Sequence, residues 1–269
     1  MLIENRKVLI TGASSGIGHS TALAFAKEGC GLFLVARRAD RLGAVARSCR
    51  EMGSSGTHLC ASDLSVPGEG SKIVDLCLQQ LEGLDVLICN AGYGFFGQVN
   101  DMEPEKMARM WQVNFQSAYE SICRVLPHFR ERKGGHIVLV SSIIGKKGMP
   151  YSASYCATKF AQVGLGEALW GELREEGIGV SVICPGYTAT EFHSVAEERR
   201  EALKSRRPFS GQSPEVVAKA VLNAVRRNRR EIHLTLPGKL ILLVDRFSNA
   251  VSTRIMAIAA KMDRKQRED

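Results

Sequence analysis

The stretch that decides the fold is KVLITGASSGIG, at residues 7–18. An apolar, strand-like run leads directly into a glycine-rich loop, and a helical pattern follows. Glycines let the backbone approach a pyrophosphate closely, and a helix N-terminus offers it free N–H groups. A plain tight turn is the alternative, but the position at the first strand–helix junction favours a dinucleotide-binding loop.

Six more apolar runs follow, separated by segments long enough for a helix. They are GLFLVAR, THLCASD, LDVLICNAG, GHIVLVSS, GVSVICPG and EIHLTL. Near-continuous apolar runs indicate strands buried on both faces. The α/β alternation predicts a Rossmann-type doubly wound sheet of about seven parallel strands with helices on both faces.

We expect one catalytic domain over residues 1–237, followed by a basic amphipathic tail over residues 238–269. The charged segment at residues 189–212 lacks a clear core stripe, and we interpret it as an insertion that borders the substrate. The net charge of +8 is uneven, since residues 1–198 carry −2 and residues 199–269 carry +10. This asymmetry indicates an anionic partner for the C-terminal end or a solvated tail.

Apolar residues recur at helical spacing between residues 238 and 262, interrupted by four basic residues. The apolar set is Leu240, Leu243, Val244, Phe247, Val251, Ile255, Ile258 and Met262. Such a helix can dock on an anionic membrane, or pack on its own core or on a partner subunit. It lacks a nucleic-acid motif and interleaved aromatics, so we predict no nucleic-acid partner.

The cysteines and the N-terminus bear on the compartment. The eight cysteines form no C-x-x-C pair and no cluster with zinc-like spacing, so we predict reduced thiols and no metal site. The first strand begins almost at once, and no run of about 18 apolar residues occurs. We therefore expect no leader and no spanning helix, and a cytoplasmic or membrane-associated protein.

The end of the second strand predicts the cofactor. It reads Leu34-Val35-Ala36-Arg37-Arg38, with no acid before Asp40. NAD-binding folds place an acid there for the ribose 2′-hydroxyl, whereas a guanidinium pairs with the 2′-phosphate of NADP. Arg37 and Arg38 therefore favour NADP(H), although solvated charges at a helix start are the alternative.

Tyr155 and Lys159 stand four residues apart in a helical pattern, so they share one face. A phenol with its ordinary pKa of about 10 is a poor base at neutral pH. A nearby ammonium favours the phenolate and makes the tyrosine usable for proton transfer.

Together these motifs resemble the short-chain dehydrogenase/reductase family of the classical type, over about residues 5–235. TGASSGIG resembles the family's glycine motif, and Ser142 precedes Tyr155 at the family's spacing. The resemblance implies a nucleotide site that also includes Tyr155 and Lys159. Its other residues are Gly12, Ser14, Ser15, Gly16, Ile17, Gly18, Arg37, Arg38, Asp63, Leu64, Asn90, Ala91, Gly92, Pro185, Gly186, Thr188 and Thr190. Ser15 departs from many NADP-using relatives, which carry a basic residue there.

The resemblance also implies four catalytic roles. Ser142 would hydrogen-bond the substrate oxygen, and Tyr155 would donate or accept the proton. Lys159 would bind the nicotinamide ribose and lower the Tyr155 pKa. Asn114 would hold a water that links Lys159 to solvent. Homodimers or homotetramers through the Asn114 and Tyr155 helices are expected for the family.

Apolar residues near these motifs favour an apolar ketone or secondary alcohol, lipid-like or steroid-like, as substrate. The expected substrate contacts are Ser142, Ile144, Tyr155 and Tyr187. Further candidates for the pocket wall are Phe95, Phe96, Ile143, Met149 and Phe192. An NADP(H)-dependent carbonyl reductase or alcohol dehydrogenase is the predicted activity. The alternative is a catalytically silent NADP-binding regulatory or scaffold protein.

Overall fold

The computed structural model describes residues 2–190 and 211–268, with side chains up to Met262. Its sheet has the order β3-β2-β1-β4-β5-β6-β7, and all neighbouring strands are parallel. The strands are β1 (Lys7–Thr11), β2 (Gly31–Ala36), β3 (Gly56–Ala61), β4 (Val86–Cys89), β5 (Gly135–Val140), β6 (Ile178–Cys184) and β7 (Glu231–His233). The predicted seven-stranded Rossmann-type fold is confirmed.

Helices cover both faces of this sheet. Those described are α1 (Gly16–Ala26), α2 (Ala39–Glu51), α3 (Glu69–Leu81), α4 (Pro104–Trp111), α5 (Ser117–Glu131), α6 (Ala153–Leu173), α7 (Pro214–Arg227), α8 (Leu236–Phe247) and α9 (Asn249–Glu268). A π-helical turn at Gln112–Gln116 joins α4 to α5. A short 3₁₀ turn, Ile143–Gly145, follows β5.

The alternation of side chains along β1 divides the core in two. Val8 and Ile10 pack in a cluster with residues of α1, α2 and α7. Leu9 belongs to the opposite cluster, with residues of α3, α5 and α6. Successive side chains of a strand point to opposite faces, so a continuous apolar run fills both layers at once.

The strand order places the site. From β1 the chain moves to β2 and β3 on one side, then crosses to β4 and continues to β7. Ligands of such sheets bind outside the carboxyl ends of the strands at this reversal. Thr11 ties the two central strand ends together, since its Oγ1 accepts hydrogen bonds from the N–H groups of Asn90 and Ala91, both at 3.0 Å.

The C-terminal region forms two helices, where the sequence predicts a single one. Ser248 has an extended backbone and separates α8 from α9, which pack against each other. The predicted boundary after residue 237 falls inside the first turn of α8.

No helix in the described part of the chain is long and apolar enough to cross a membrane. Most of the predicted insertion at residues 189–212 lies outside the described residues.

An ion pair and a hydrogen bond connect α8 and α9 to the loop that follows β5. Lys147 is 7% exposed, and its ammonium lies 2.7 Å from Asp245 Oδ1 and 2.9 Å from Thr253 Oγ1. Asp245 also accepts a hydrogen bond from Ser252. A buried charge whose partner is removed is strongly destabilising, so this contact holds the two helices to that loop.

Candidate active site

A cleft of about 650 Å³ opens at the carboxyl ends of the central strands. Nearly all of the predicted site residues line it. These are Gly12, Ser14, Ser15, Gly16, Ile17, Arg37, Arg38, Asp63, Leu64, Asn90, Ala91, Gly92, Ser142, Ile144, Tyr155, Lys159, Pro185, Gly186, Tyr187, Thr188 and Thr190. Gly18 and Asn114 do not line the cleft but lie behind its wall.

The glycines of the first loop are required by close packing. Gly12 has a φ of +68°, and a Cβ there would lie 2.9 Å from Ala91 Cα. A Cβ on Gly18 would lie 2.2 Å from the carbonyl oxygen of Gly12. Helix α1 begins here with no side-chain cap and no acid in its first turn. Its free N–H groups therefore suit an anion such as a pyrophosphate.

Positive charge borders this loop at the end of β2. Arg38 Nη2 donates hydrogen bonds to Ser14 Oγ at 3.3 Å and Ser15 Oγ at 3.1 Å. On the neighbouring side lies Asp63. Burial favours its neutral form, but hydrogen bonds from Ser65 and nearby arginine charges outweigh this and lower the Asp63 pKa. The nucleotide end therefore combines a guanidinium with an ionised carboxylate.

Ser142, Tyr155 and Lys159 meet at the opposite end of the cleft. Ser142 follows β5 and donates to the carbonyl of Pro185 at 3.5 Å, and it also hydrogen-bonds Tyr155. Lys159 lies one helical turn after Tyr155, with its Nζ 5.7 Å from the centre of the tyrosine ring. The predicted catalytic face of α6 therefore points into the cleft.

Burial moves the pKa values of Tyr155 and Lys159 apart. It raises the pKa of Tyr155, an effect that the hydrogen bond with Ser142 only partly offsets. It lowers the pKa of Lys159 to about 7. In the protein alone the pKa of Tyr155 therefore lies above its ordinary value, because the cost of burying a phenolate is the largest effect on it.

Asn114 lies in the π-helical turn and is fully buried. Its side chain donates to Tyr93 O at 2.9 Å and to Thr158 Oγ1 at 3.1 Å, and accepts from Tyr93 N at 2.9 Å. It thus holds the loop after β4 to α6. Its main-chain carbonyl accepts from Gln162 Nε2 at 2.7 Å. Single π-turns inserted in helices often mark functional sites.

Two residues that sequence reasoning missed are of particular interest. Gln162 Oε1 accepts a hydrogen bond from Lys159 Nζ at 2.9 Å. A lone glutamine on the buried face of α6 was the signal that could have revealed it. Ala260 of α9 lines the cleft from more than a hundred residues beyond Ser142. No local pattern could have placed it there.

The candidate pocket wall is mostly where it was expected. Phe96, Ile143 and Met149 line the cleft together with Ile144 and Tyr187. Phe95 was misplaced, since it does not line the cleft. Its ring instead packs in a small cluster behind the wall, with Met102, Met110, Ile144, Tyr155 and Cys156. Phe192 lies outside the described residues.

One group of metal-binding residue types assembles near the cleft. Atoms of Cys184, Glu231 and His233 lie within 4.8 Å of one another. The ammonium of Lys146 stands 3.2 Å from Glu231, and His233 hydrogen-bonds the same carboxylate. The carboxylate is already neutralised by a protein cation, so these residues carry no metal assignment.

Comparison with known proteins identifies the family. A family model described as short chain dehydrogenase matches residues 6–201. The chain belongs to the short-chain dehydrogenase family. Among its relatives is the mouse dehydrogenase/reductase SDR family member 7B, 30% identical over 98% of this chain and 84% of that protein.

Other members of the short-chain dehydrogenase family carry names that point to steroids. The Xenopus laevis hydroxysteroid 11-beta-dehydrogenase 1-like protein A is 34% identical, over 82% of this chain and 76% of that protein. Rat 17-beta-hydroxysteroid dehydrogenase 13 is 30% identical, over 91% of this chain and 80% of that protein. Among solved structures, a Sphingobium yanoikuyae short-chain dehydrogenase in complex with NADPH superposes with a TM-score of 0.78. It is 28% identical, and the match covers 94% of each chain.

Proposed function

We propose that this short-chain dehydrogenase is an NADP(H)-dependent carbonyl reductase or alcohol dehydrogenase that acts on an apolar ketone or secondary alcohol. The observation that carries the proposal is the convergence of Ser142, Tyr155 and Lys159 on one cleft with the glycine-rich loop. Lysine and tyrosine on one helical face, beside a serine hydroxyl, can bind a carbonyl or alcohol oxygen. They can give a proton to the carbonyl oxygen or remove one from the alcohol.

NADP(H) fits the residues at the nucleotide end. The uncapped start of α1 suits the pyrophosphate, and Arg37 and Arg38 suit the 2′-phosphate. The NADPH in the Sphingobium yanoikuyae relative supports this assignment. When bound, NADP(H) supplies or accepts the hydride, whereas the protein supplies orientation and proton transfer.

Three side chains carry the proton chemistry in this proposal. Ser142 donates a hydrogen bond to the substrate oxygen and holds it beside the Tyr155 hydroxyl. In reduction Tyr155 gives its proton to that oxygen, and in oxidation it removes the proton. Because burial disfavours the phenolate, the Lys159 ammonium must stabilise it when the substrate is bound.

The apolar wall supports the proposed substrate class. Phe96, Ile143, Ile144 and Met149 surround the space beyond Ser142 and Tyr155. Pockets of this kind bind apolar ligands and orient them through a few polar groups. The hydroxysteroid names of several relatives favour a steroid-like or lipid-like ketone or alcohol.

A screen of carbonyls and alcohols with NADPH, NADH and their oxidised forms tests the activity. We expect NADPH-dependent reduction of bulky apolar ketones, with polar sugars turned over poorly. Tyr155→Phe should lower kcat at least about 100-fold, the usual scale of a lost acid catalyst. Equal and negligible turnover by both proteins would instead favour a silent NADP-binding regulatory or scaffold protein.

We also propose that the C-terminal helices place the enzyme on an anionic lipid surface. Eight large apolar side chains of α8 and α9 are exposed, so this face does not pack on the core. They are Leu236, Leu240, Leu243, Phe247, Val251, Ile255, Ile258 and Met262. Exposed basic residues flank them, and Asp245, the one acid between residues 236 and 262, is paired with Lys147. Apolar faces with basic flanks bind anionic membranes.

Assembly into homodimers or homotetramers remains a proposal for the helices that carry Asn114 and Tyr155. Large aromatic side chains on these elements face outward, namely Trp111, Tyr119 and Phe160. Aromatic residues of this kind are enriched at protein interfaces. Sedimentation velocity of the purified enzyme measures the subunit number directly.

A further inference from the structure

Gln162 is a buried polar residue on α6, one turn after Lys159. It is only 1% exposed, and Lys159 is 3% exposed. Its Oε1 accepts a hydrogen bond from Lys159 Nζ at 2.9 Å, and its Nε2 donates to the Asn114 carbonyl at 2.7 Å. Both ends of the amide are therefore engaged, one on the amine and the other on the π-helical turn.

The two contacts fix the position of the Lys159 amine. A lysine ammonium has three N–H donors. One donates to the Val140 carbonyl at 2.9 Å and the second to Gln162, which leaves one to face the cleft. With Gln162 removed, the main-chain carbonyl of Val140 would be the one remaining anchor among the described residues.

We propose that Gln162 is a positioning residue for Lys159, holding its ammonium beside Tyr155 and linking it to the Asn114 carbonyl through the Gln162 amide. This inference rests on the proposed function, because the placement of Lys159 affects turnover only if Tyr155 transfers the proton.

The charges around Lys159 predict in which direction the loss of Gln162 would shift the Lys159 pKa. Among described residues, the titratable groups that face it are Tyr155 on α6 and Cys184 at the end of β6. Burial raises the pKa of Cys184 to about 12, so this thiol stays neutral in an enzyme assay. The charged groups that act on Cys184 from farther out are Lys146, Glu167 and Glu231. The Gln162 oxygen therefore provides side-chain stabilisation of an ammonium that burial disfavours.

Substitutions of opposite electrostatic effect test the proposal. Gln162→Leu removes the acceptor, so the Lys159 pKa should fall by about one unit, the scale of a lost hydrogen bond to a charged group. Reduction leaves a phenolate on Tyr155 that the Lys159 ammonium stabilises, so activity falls where the ammonium loses its proton. The alkaline limb of kcat for ketone reduction should therefore move to lower pH by a similar amount. Gln162→Glu places a carboxylate at the amine and should move the limb to higher pH. The KM for the ketone should change little in either variant.

Ser121→Ala serves as the matched control. Ser121 is an equally buried polar residue on α5, and it hydrogen-bonds Gly70 away from the cleft. Its loss should lower the melting temperature without moving the pH profile. If Gln162→Leu fails to fold, Gln162→Met keeps the side-chain length and removes the same acceptor.

A second readout separates this inference from the proposed function. NMR of ¹⁵N-labelled lysine side chains, assigned with Lys159→Met, reports the Lys159 pKa without turnover. If wild type reduces no carbonyl, the proposed function fails, and the amine titration still shows whether Gln162 holds Lys159. Unchanged Lys159 pKa values in the leucine and glutamate variants would overturn the inference.

Discussion

Arg38 lies where a single side chain can select the cofactor. Its guanidinium already bonds the hydroxyls of Ser14 and Ser15, at the mouth of the glycine-rich loop. These hydroxyls and the guanidinium would surround a 2′-phosphate, and hydrogen bonds to charged groups are worth about 1.5–3 kcal/mol each. Arg38 is thus positioned to favour NADPH over NADH.

Arg38→Ala should therefore raise the KM for NADPH roughly tenfold or more and leave the KM for NADH nearly unchanged. Initial rates with each cofactor measure this. Arg47→Ala is the control, because Arg47 is an exposed arginine of α2 outside the cleft. An equal loss with both cofactors in Arg38→Ala would show that Arg38 stabilises the loop and does not read the 2′-phosphate.

At the scale of elements, α9 acts as a wall of the substrate cleft. Ala260 is 3% exposed and faces the cleft, and the ion pair of buried Lys147 with Asp245 holds the helices to the loop that follows β5. A small residue at this position leaves room for a bulky substrate. We therefore expect the C-terminal helices to contribute to specificity as well as to the outer surface.

Ala260→Phe should lower kcat/KM for bulky ketones by about tenfold or more and affect small ketones little, since pocket volume discriminates substrates on that scale. A series of ketones of increasing size provides the measurement. Ala259→Phe is a closely matched control, because its exposed neighbouring position adds the same ring outside the cleft. If both variants show the same substrate profile, Ala260 does not limit the pocket.

For the whole molecule, the proposed lipid contact follows from how the apolar surface and the charge are distributed. Phe247 is 82% exposed, and the face around it is basic at Lys239, Arg246, Arg254 and Lys261. Pairing with a second copy through this face would bring like charges together. An anionic lipid surface satisfies both the charge and the apolar area.

Full-length protein should sediment with vesicles that contain phosphatidylserine, and less with phosphatidylcholine alone. Leu243→Ser combined with Phe247→Ser should weaken binding at least about 100-fold, because each lost apolar insertion is worth about 1.5–3 kcal/mol. Val66→Ser combined with Val216→Ser removes exposed apolar side chains elsewhere and should bind as wild type. The lipid proposal would be wrong if wild type failed to sediment with vesicles and formed a dimer that Phe247→Ser dissociates. A second copy of the chain would then be the partner of this face.

Local sequence was sufficient for the fold and for most of the cleft. The apolar runs predicted all seven strands, and the glycine-rich loop, Asn90 and Tyr155 lie at the carboxyl ends as expected. Motifs that bind a nucleotide must occupy strand ends at the reversal of the sheet. Their chain order therefore fixes their place in space.

The tertiary structure alone decided what depends on distant contacts and on burial. It placed Ala260 in the cleft, turned Phe95 away from it, and set Gln162 between Lys159 and Asn114. It also buried Tyr155 and so raised its pKa, an effect that no spacing in the sequence indicates. Helical spacing gives the face on which a side chain lies. The depth of burial and the partner across the core follow only once every element is packed.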